Sequence, residues 1–236
     1  MRQINKLPLD ERTLTELAVR QENINTGAAL SKFRPSPRQR RAITVKLMQS
    51  QKGLCCYCEC SIMDGEHHIE HFFEQEDDKS KTYDYDNLIL SCEGERPPKE
   101  RPETDEQRAD RLINIRCGHG KEKSRHGNIA VDYDLLLNPM QNNSSTLYYN
   151  DSGELEANTT NQPDIDRVAY TCNRLNLNSS RLKNLRVNKI VELEIQLLGL
   201  SLEEQRAVVS RLMDDTQTEL PAFYSTIKDN FGFLLS

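Results

Sequence analysis

The chain has 236 residues, of which 29% are charged and 36% hydrophobic, with a formal net charge of −6 and seven cysteines. That length suits one large domain or two small ones, with a core that needs no cross-links. No apolar run is long enough to span a bilayer and MRQINKLPLDERTL lacks a signal peptide's apolar stretch, so a cytoplasmic protein with no membrane contact is expected. The acidic balance excludes a free-standing nucleic-acid binder; contact with phosphates needs a partner or a local patch such as Arg34, Arg38, Arg40, Arg41 and Lys46. A solvated helix face accounts for the same five residues equally well.

Residues 37–52, PRQRRAITVKLMQSQK, set Ala42, Val45, Leu47 and Met48 at helical spacing, and Gly53 stops the pattern. Between Ile62 and Tyr85 the density of Gly, Asp and Ser predicts short strands and loops, with Ile69 and Phe72 as apolar members. NLILSC at 87–92 reads as a short buried segment. Residues 93–111 are crowded with charges and prolines and predict an exposed insertion. Leu112, Ile113 and Ile115 restore apolar character and lead into RCGHGKEKS at 116–124. YDLLLNP at 133–139 is a compact apolar element, and LYYNDSGEL predicts a hairpin turning at Asn150–Gly153. The last third is helical. Val187, Ile190, Val191, Ile195 and Leu198 recur three and four apart until Gly199, with more apolar surface than a small zinc core needs to cover it. Part of that stripe is available for an interface, although internal packing is its commoner use. Ser201 with Glu204 forms a capping box for a helix over 202–213, and Pro221 opens a final helical stretch to Phe231.

Seven cysteines make an odd number for a disulfide framework, and two-residue spacing in a reducing compartment favours metal ligation. The C-x-x-C of Cys55 and Cys58 lets two thiolates of one turn meet a tetrahedral zinc at about 2.3 Å. A redox dithiol is the rival use, but the neighbourhood lacks a thioredoxin-like strand and helix. Cys92 and Cys117 stand at the two edges of the insertion, so they meet if it loops out. Cys55, Cys58, Cys92 and Cys117 then form a closed structural zinc site. Cys56 can replace Cys55, and Cys60 competes from a position too close to Cys58 for an ordinary knuckle. Plain buried thiols are the simpler alternative, and Cys172 is expected in the core.

In HHIEHFF, strand geometry puts Glu70 and His71 on opposite sides of the backbone. A carboxylate and an imidazole so divided suit metal-assisted phosphodiester hydrolysis, one serving the metal and the other a water. His68 and His71 can instead join the cysteines in a mixed zinc site. Spacing alone leaves both uses open.

The order C-x-x-C, H-I-E-H-F, D-N-L, S-C and C-x-x-x-K resembles an HNH endonuclease of the zinc-bearing ββα-metal type. CCYCE, HIEHF and YDNLILSC, together with LLLNPMQN, LYYNDSGEL and RLNLNSSRLKNLR, resemble more narrowly the PtuB kind found in Septu and retron-associated antiphage systems, over roughly residues 35–190. With the element reading, the resemblance implies an α+β, mostly α-helical fold. Its parts are an N-terminal helical segment at 1–53, a zinc-stapled ββα-metal core at 54–140 carrying the insertion 93–111, and a hairpin with a C-terminal helical region at 141–236. The resemblance further implies His71 as general base, Glu70 as ligand of a catalytic Mg2+ or Mn2+, and Asn87 as the residue that braces the loop and orients the base. His68 becomes a neighbour of the site and His67 a surface residue. Where the family carries Asn or His after the last cysteine, this chain has Gly118, which cannot ligate. The second ligand therefore falls to His119, with His126 as the more remote substitute, and Lys121 matches a lysine expected to contact phosphate. Nucleic acid, DNA or RNA, is the implied substrate and a PtuA-like ATPase the implied partner. The alternative is a catalytically silent zinc module whose helical tail binds a protein, for which Gly118 is the best argument. A thiol redox protein is the third class.

Overall fold

A computed structural model describes residues 1–28, 32–94 and 103–236 of the protein. Helix α1 (Glu11–Asn25) starts at Asp10, whose carboxylate accepts from the Thr13 amide. Helix α2 (Pro37–Gln51) starts at Ser36 with a capping box closed by Gln39 and with proline in its first turn. It stops where the sequence predicts, Lys52 and Gly53 both taking left-handed backbone at φ 54° and 78°. Ile43 and Leu47 face the core, whereas Val45 of the predicted apolar set is exposed.

The chain then enters an antiparallel hairpin, β1 (His67–His71) against β2 (Leu88–Cys92), with His71 opposite Leu88 and His67 opposite Cys92. Strand β2 is buried at every position, as its continuous apolar run requires. Residues 95–102 of the predicted insertion lie outside the described residues. The remainder is exposed, as predicted, and largely helical: α3 (Asp105–Asn114) grows from a Thr104–Gln107 capping box, with Asp105 and Glu106 in its first turn and Arg111 in its last. Local capping and charge placement thus build a helix on the surface, a detail the shortage of apolar residues does not reveal. The short α4 (Cys117–Lys121) follows and packs on β2 and on α5 (Gln162–Leu175).

A second hairpin, β3 (Leu147–Tyr149) and β4 (Leu155–Ala157), turns at the predicted Asn150–Gly153, where Gly153 has φ 70° and no room for a Cβ, the Lys183 carbonyl lying 2.5 Å from that point. Helices α6 (Ser180–Leu197), α7 (Leu202–Met213) and α8 (Tyr224–Phe231) complete the chain; α7 keeps the predicted bounds and cap, while α8 begins three residues later than Pro221. The face α6 buries is Leu182, Arg186, Ile190, Leu193 and Leu197. Val191, Ile195 and Leu198 of the predicted stripe are exposed instead. The buried face includes an arginine, which hydrophobic periodicity passes over: Arg186 donates to the Gly153 and Leu177 carbonyls at 2.9 Å and lies over the Tyr149 ring.

The fold is α+β, mostly helical, with two small two-stranded sheets. One core gathers side chains from α2, both hairpins and α5, and so crosses the boundaries expected near residues 53 and 140. A second, smaller core joins Ile190, Leu193, Leu197, Val209, Ile227, Phe231 and Leu234. Among the described residues no helix is long and apolar enough to cross a membrane.

Candidate functional site

The turn after α2 carries Cys55 to Cys60 against the end of β2. The sulfurs of Cys55, Cys58, Cys60 and Cys92 lie within 4.8 Å of one another, a set that can hold a metal ion. Cys58 and Cys92 are 3.8 Å apart, which matches the roughly 3.8 Å edge of a tetrahedron with metal–sulfur bonds of about 2.3 Å. Cys60, expected to be spare, joins because Glu59 takes left-handed backbone (φ 62°) and the Cys60 carbonyl accepts from the Cys55 amide at 2.9 Å, folding the turn back on itself. The buried Glu59 carboxylate fixes that turn by accepting from Arg2 N at 2.6 Å and from Ser225 N and Oγ at 2.7 Å each. Cys117, expected as the fourth ligand, is not one of these four sulfurs. It is fully buried, and its influence pulls the Cys58 thiol well below its ordinary pKa. Cys56 points its chemistry elsewhere: it is buried, outside the tetrad, and burial pushes its thiol well up.

On the far side of the β1–β2 hairpin lies a cleft of about 610 Å³ whose walls include His68, Glu70, His71, Glu74, Gly118, His119 and Glu122. His71 ends β1, is 7% exposed, and places Nε2 2.9 Å from the Thr82 carbonyl oxygen. A carbonyl only accepts, so Nε2 carries the proton of the neutral ring and Nδ1 keeps its lone pair. Burial lowers the pKa of this imidazole below its ordinary value, and the edge of Phe33 packs against it at 4.9 Å. Asn87 is buried and ties the intervening loop at both ends. It accepts from Phe73 N at 2.8 Å and donates to the Phe73 and Lys81 carbonyls at 3.0 and 3.1 Å, next to the Thr82 carbonyl that holds His71.

Glu70 stands on the opposite strand face. Burial pushes its pKa up, but the Lys121 ammonium and His68 outweigh burial and hold the carboxyl at about 2. One carboxylate oxygen is ion-paired with Lys121, the other is 3.4 Å from His68 Nε2. Lys121, expected to contact phosphate, is 1% exposed and also donates to the His71 and Phe72 carbonyls at 2.5 and 3.1 Å. It is an internal brace, because the single-turn α4 aims it under β1 rather than into the cleft. His126, the substitute ligand, has Nε2 at 2.9 Å from the Gly120 carbonyl and 3.2 Å from that of Arg174. His67 is half-buried with Nδ1 at 3.2 Å from the Ile62 carbonyl.

His119 does reach the cleft. Its ring stacks on His68 at 4.4 Å, with Nε2 3.2 Å from Glu93 and Nδ1 3.2 Å from Glu122. His68, Glu93 and His119 offer ligand atoms within 4.8 Å of one another, a second group that can hold a metal ion. The resemblance made His68 a neighbour of the site, and the sequence reading passed over Glu93. The available signal was period two: His68 and Glu70 share a face of β1, and Glu93 directly follows the paired strand. Gly118 has a physical reason as well. A Cβ there would sit 2.8 Å from both Glu70 Oε2 and His68 Nε2, so the position that cannot ligate makes room for groups that can. The donors are chemically suited to a divalent ion: His119 Nε2 lies 3.2 Å from one Glu93 oxygen, the separation of neighbouring ligands on an ion bound at about 2.0–2.1 Å, and His68 Nδ1 lies 3.7 Å from the other. No protein-family profile and no curated protein sequence matches the chain.

Proposed function

We propose that the protein is a metal-dependent HNH-type endonuclease hydrolysing phosphodiester bonds of nucleic acid, with a structural zinc on the cysteine tetrad. The observation that carries this reading is a neutral imidazole with a lone pair to spare, His71, in the same cleft as a wall of ionised carboxylate and imidazole donors. The Thr82 carbonyl fixes the His71 tautomer, so Nδ1 is the atom that takes a proton from an attacking water. Asn87 holds the loop bearing that carbonyl, and Lys121 keeps Glu70 ionised while anchoring the backbone of His71 itself. Glu70 and His119 are the ligands implied by resemblance, and His68 stands between them. A Mg2+ or Mn2+ ion bound at this wall would stabilise charge on the phosphate and on the leaving oxygen.

Glu70, Glu74 and Glu122 line the cleft, and Lys123 at its edge is paired with Asp77. A polyanion gains little there without the ion. The net charge of −6 adds to that deficit, which supports a partner that delivers the nucleic acid, the PtuA-like ATPase of an antiphage system in the reading by resemblance. Burial of Lys121 and the acidic cleft wall favour a second reading, the silent zinc module. The deciding measurement is strand cleavage of DNA and RNA by the purified chain and its His71→Ala variant across Mg2+ and Mn2+, with zinc content and circular dichroism as controls. Loss of cleavage by about 100-fold or more in the variant, at unchanged zinc, is expected for a missing general base. Wild-type rates in the variant would remove His71 from that role, and no metal-dependent cleavage by either chain or with the partner would favour the silent module.

A further inference from the structure

We propose that the ion of this cleft is bound by His68, Glu93 and His119, two imidazoles and one carboxylate, and that this set selects a transition ion such as Mn2+, Co2+ or Zn2+ over Mg2+. The inference rests on reading the cleft as a metal centre but departs from the ligands that resemblance implies. Glu70 is the residue displaced from the set. One of its oxygens is committed to the buried Lys121 ammonium, and that ion pair makes it a brace for His68 Nε2.

Three observations converge on the new set. His119 faces carboxylates from both ring nitrogens, Glu122 at Nδ1 and Glu93 at Nε2, each at 3.2 Å. A neutral imidazole has one N–H, so a ring that gives Nδ1–H to Glu122 turns its Nε2 lone pair to a Glu93 oxygen, an arrangement that a cation between the two satisfies. A carboxylate on the outer nitrogen is also the usual support of a metal-bound histidine. Second, His68 Nδ1 is sealed from solvent without a hydrogen bond and points to the same Glu93, 3.7 Å away. Third, the donors come from β1, from the residue after β2 and from α4, and Gly118 carries no Cβ to crowd His68. Mg2+ favours an octahedral oxygen shell and keeps its waters, whereas imidazole suits the later first-row ions.

The test titrates Mn2+ into the full chain with zinc already on the cysteines, without substrate, and follows electron paramagnetic resonance. Expected is one Mn2+ per chain with spin-echo modulation from two imidazole nitrogens, resisting about a hundredfold excess of Mg2+. Glu93→Gln, a change at a partly exposed residue, should weaken Mn2+ by about tenfold or more. Modulation from a single imidazole, displacement by equimolar Mg2+, unchanged affinity in Glu93→Gln, or no bound Mn2+ because His119 is simply an imidazolium would each overturn the proposal. A chain that binds Mn2+ in this way yet cuts nothing upholds the ligand set while ending the nuclease reading.

Discussion

His71 sits at 7% exposure with its Nε2 on a carbonyl, and its lowered pKa fixes the sign of a pH profile. The working form is the neutral ring, so kcat/KM should rise with pH along an acid limb lying below the ordinary imidazole value of about 6.5. A limb centred above 7 would contradict the role. Glu70 and Lys121 form the other pair of consequence. With the Glu70 pKa held at about 2 rather than 4.5, its contribution to stability is present above about 4.5 and is lost as pH falls toward 2. Lys121→Ala leaves a buried carboxylate alone and is expected to cost about 3–5 kcal/mol in denaturant unfolding; a loss under about 1 kcal/mol would place Lys121 at the surface after all. The proximity of His71, Glu70 and Asn87 was legible because they belong to one hairpin and its loop. Glu93 was not, since its partner His119 lies across a charged stretch, and no spacing rule records that Lys121 is buried.

At the scale of elements, Ser201 with Glu204 closes the box its spacing announces, and Ser36 with Gln39 closes another that the sequence reading did not name. Thr104 with Gln107 carries the same signature inside the exposed insertion, where it went unread. The cysteine turn shows the opposite failure. Sequence spacing counts Cys60 out, yet the left-handed Glu59 turns it inward. Cys60→Ser should therefore lower zinc per chain and the melting temperature, whereas Cys56→Ser should leave zinc at one ion per chain, as read by elemental analysis. Reversal of that pair would return Cys60 to the spare thiols and put Cys56 in the ligand set. On α6, three-and-four spacing fits two adjacent faces, and the face that wins is the one whose Arg186 finds carbonyls and the Tyr149 ring.

The whole molecule is organised around two cores of unequal size. The cysteine tetrad belongs to the larger, while Val208, Val209, Leu212 and Met213 of α7 pack into the smaller. Leu193→Ala, a truncation in that small core, should cost about 2–5 kcal/mol. Hydrogen exchange should then speed up in α7 and α8 while the amides of β1 and β2 keep their protection. Equal loss in both regions would mean that the cores unfold as one. One connection between them runs through Glu59, whose carboxylate grips Ser225 at the head of α8 while its backbone shapes the turn that presents Cys58 and Cys60. A carboxylate held this way makes occupancy of the thiolate site and seating of α8 terms of one equilibrium. By reciprocity, any protein that clasps the C-terminal helices in their docked position slows escape of the ion, and the ion strengthens that clasp by the same factor.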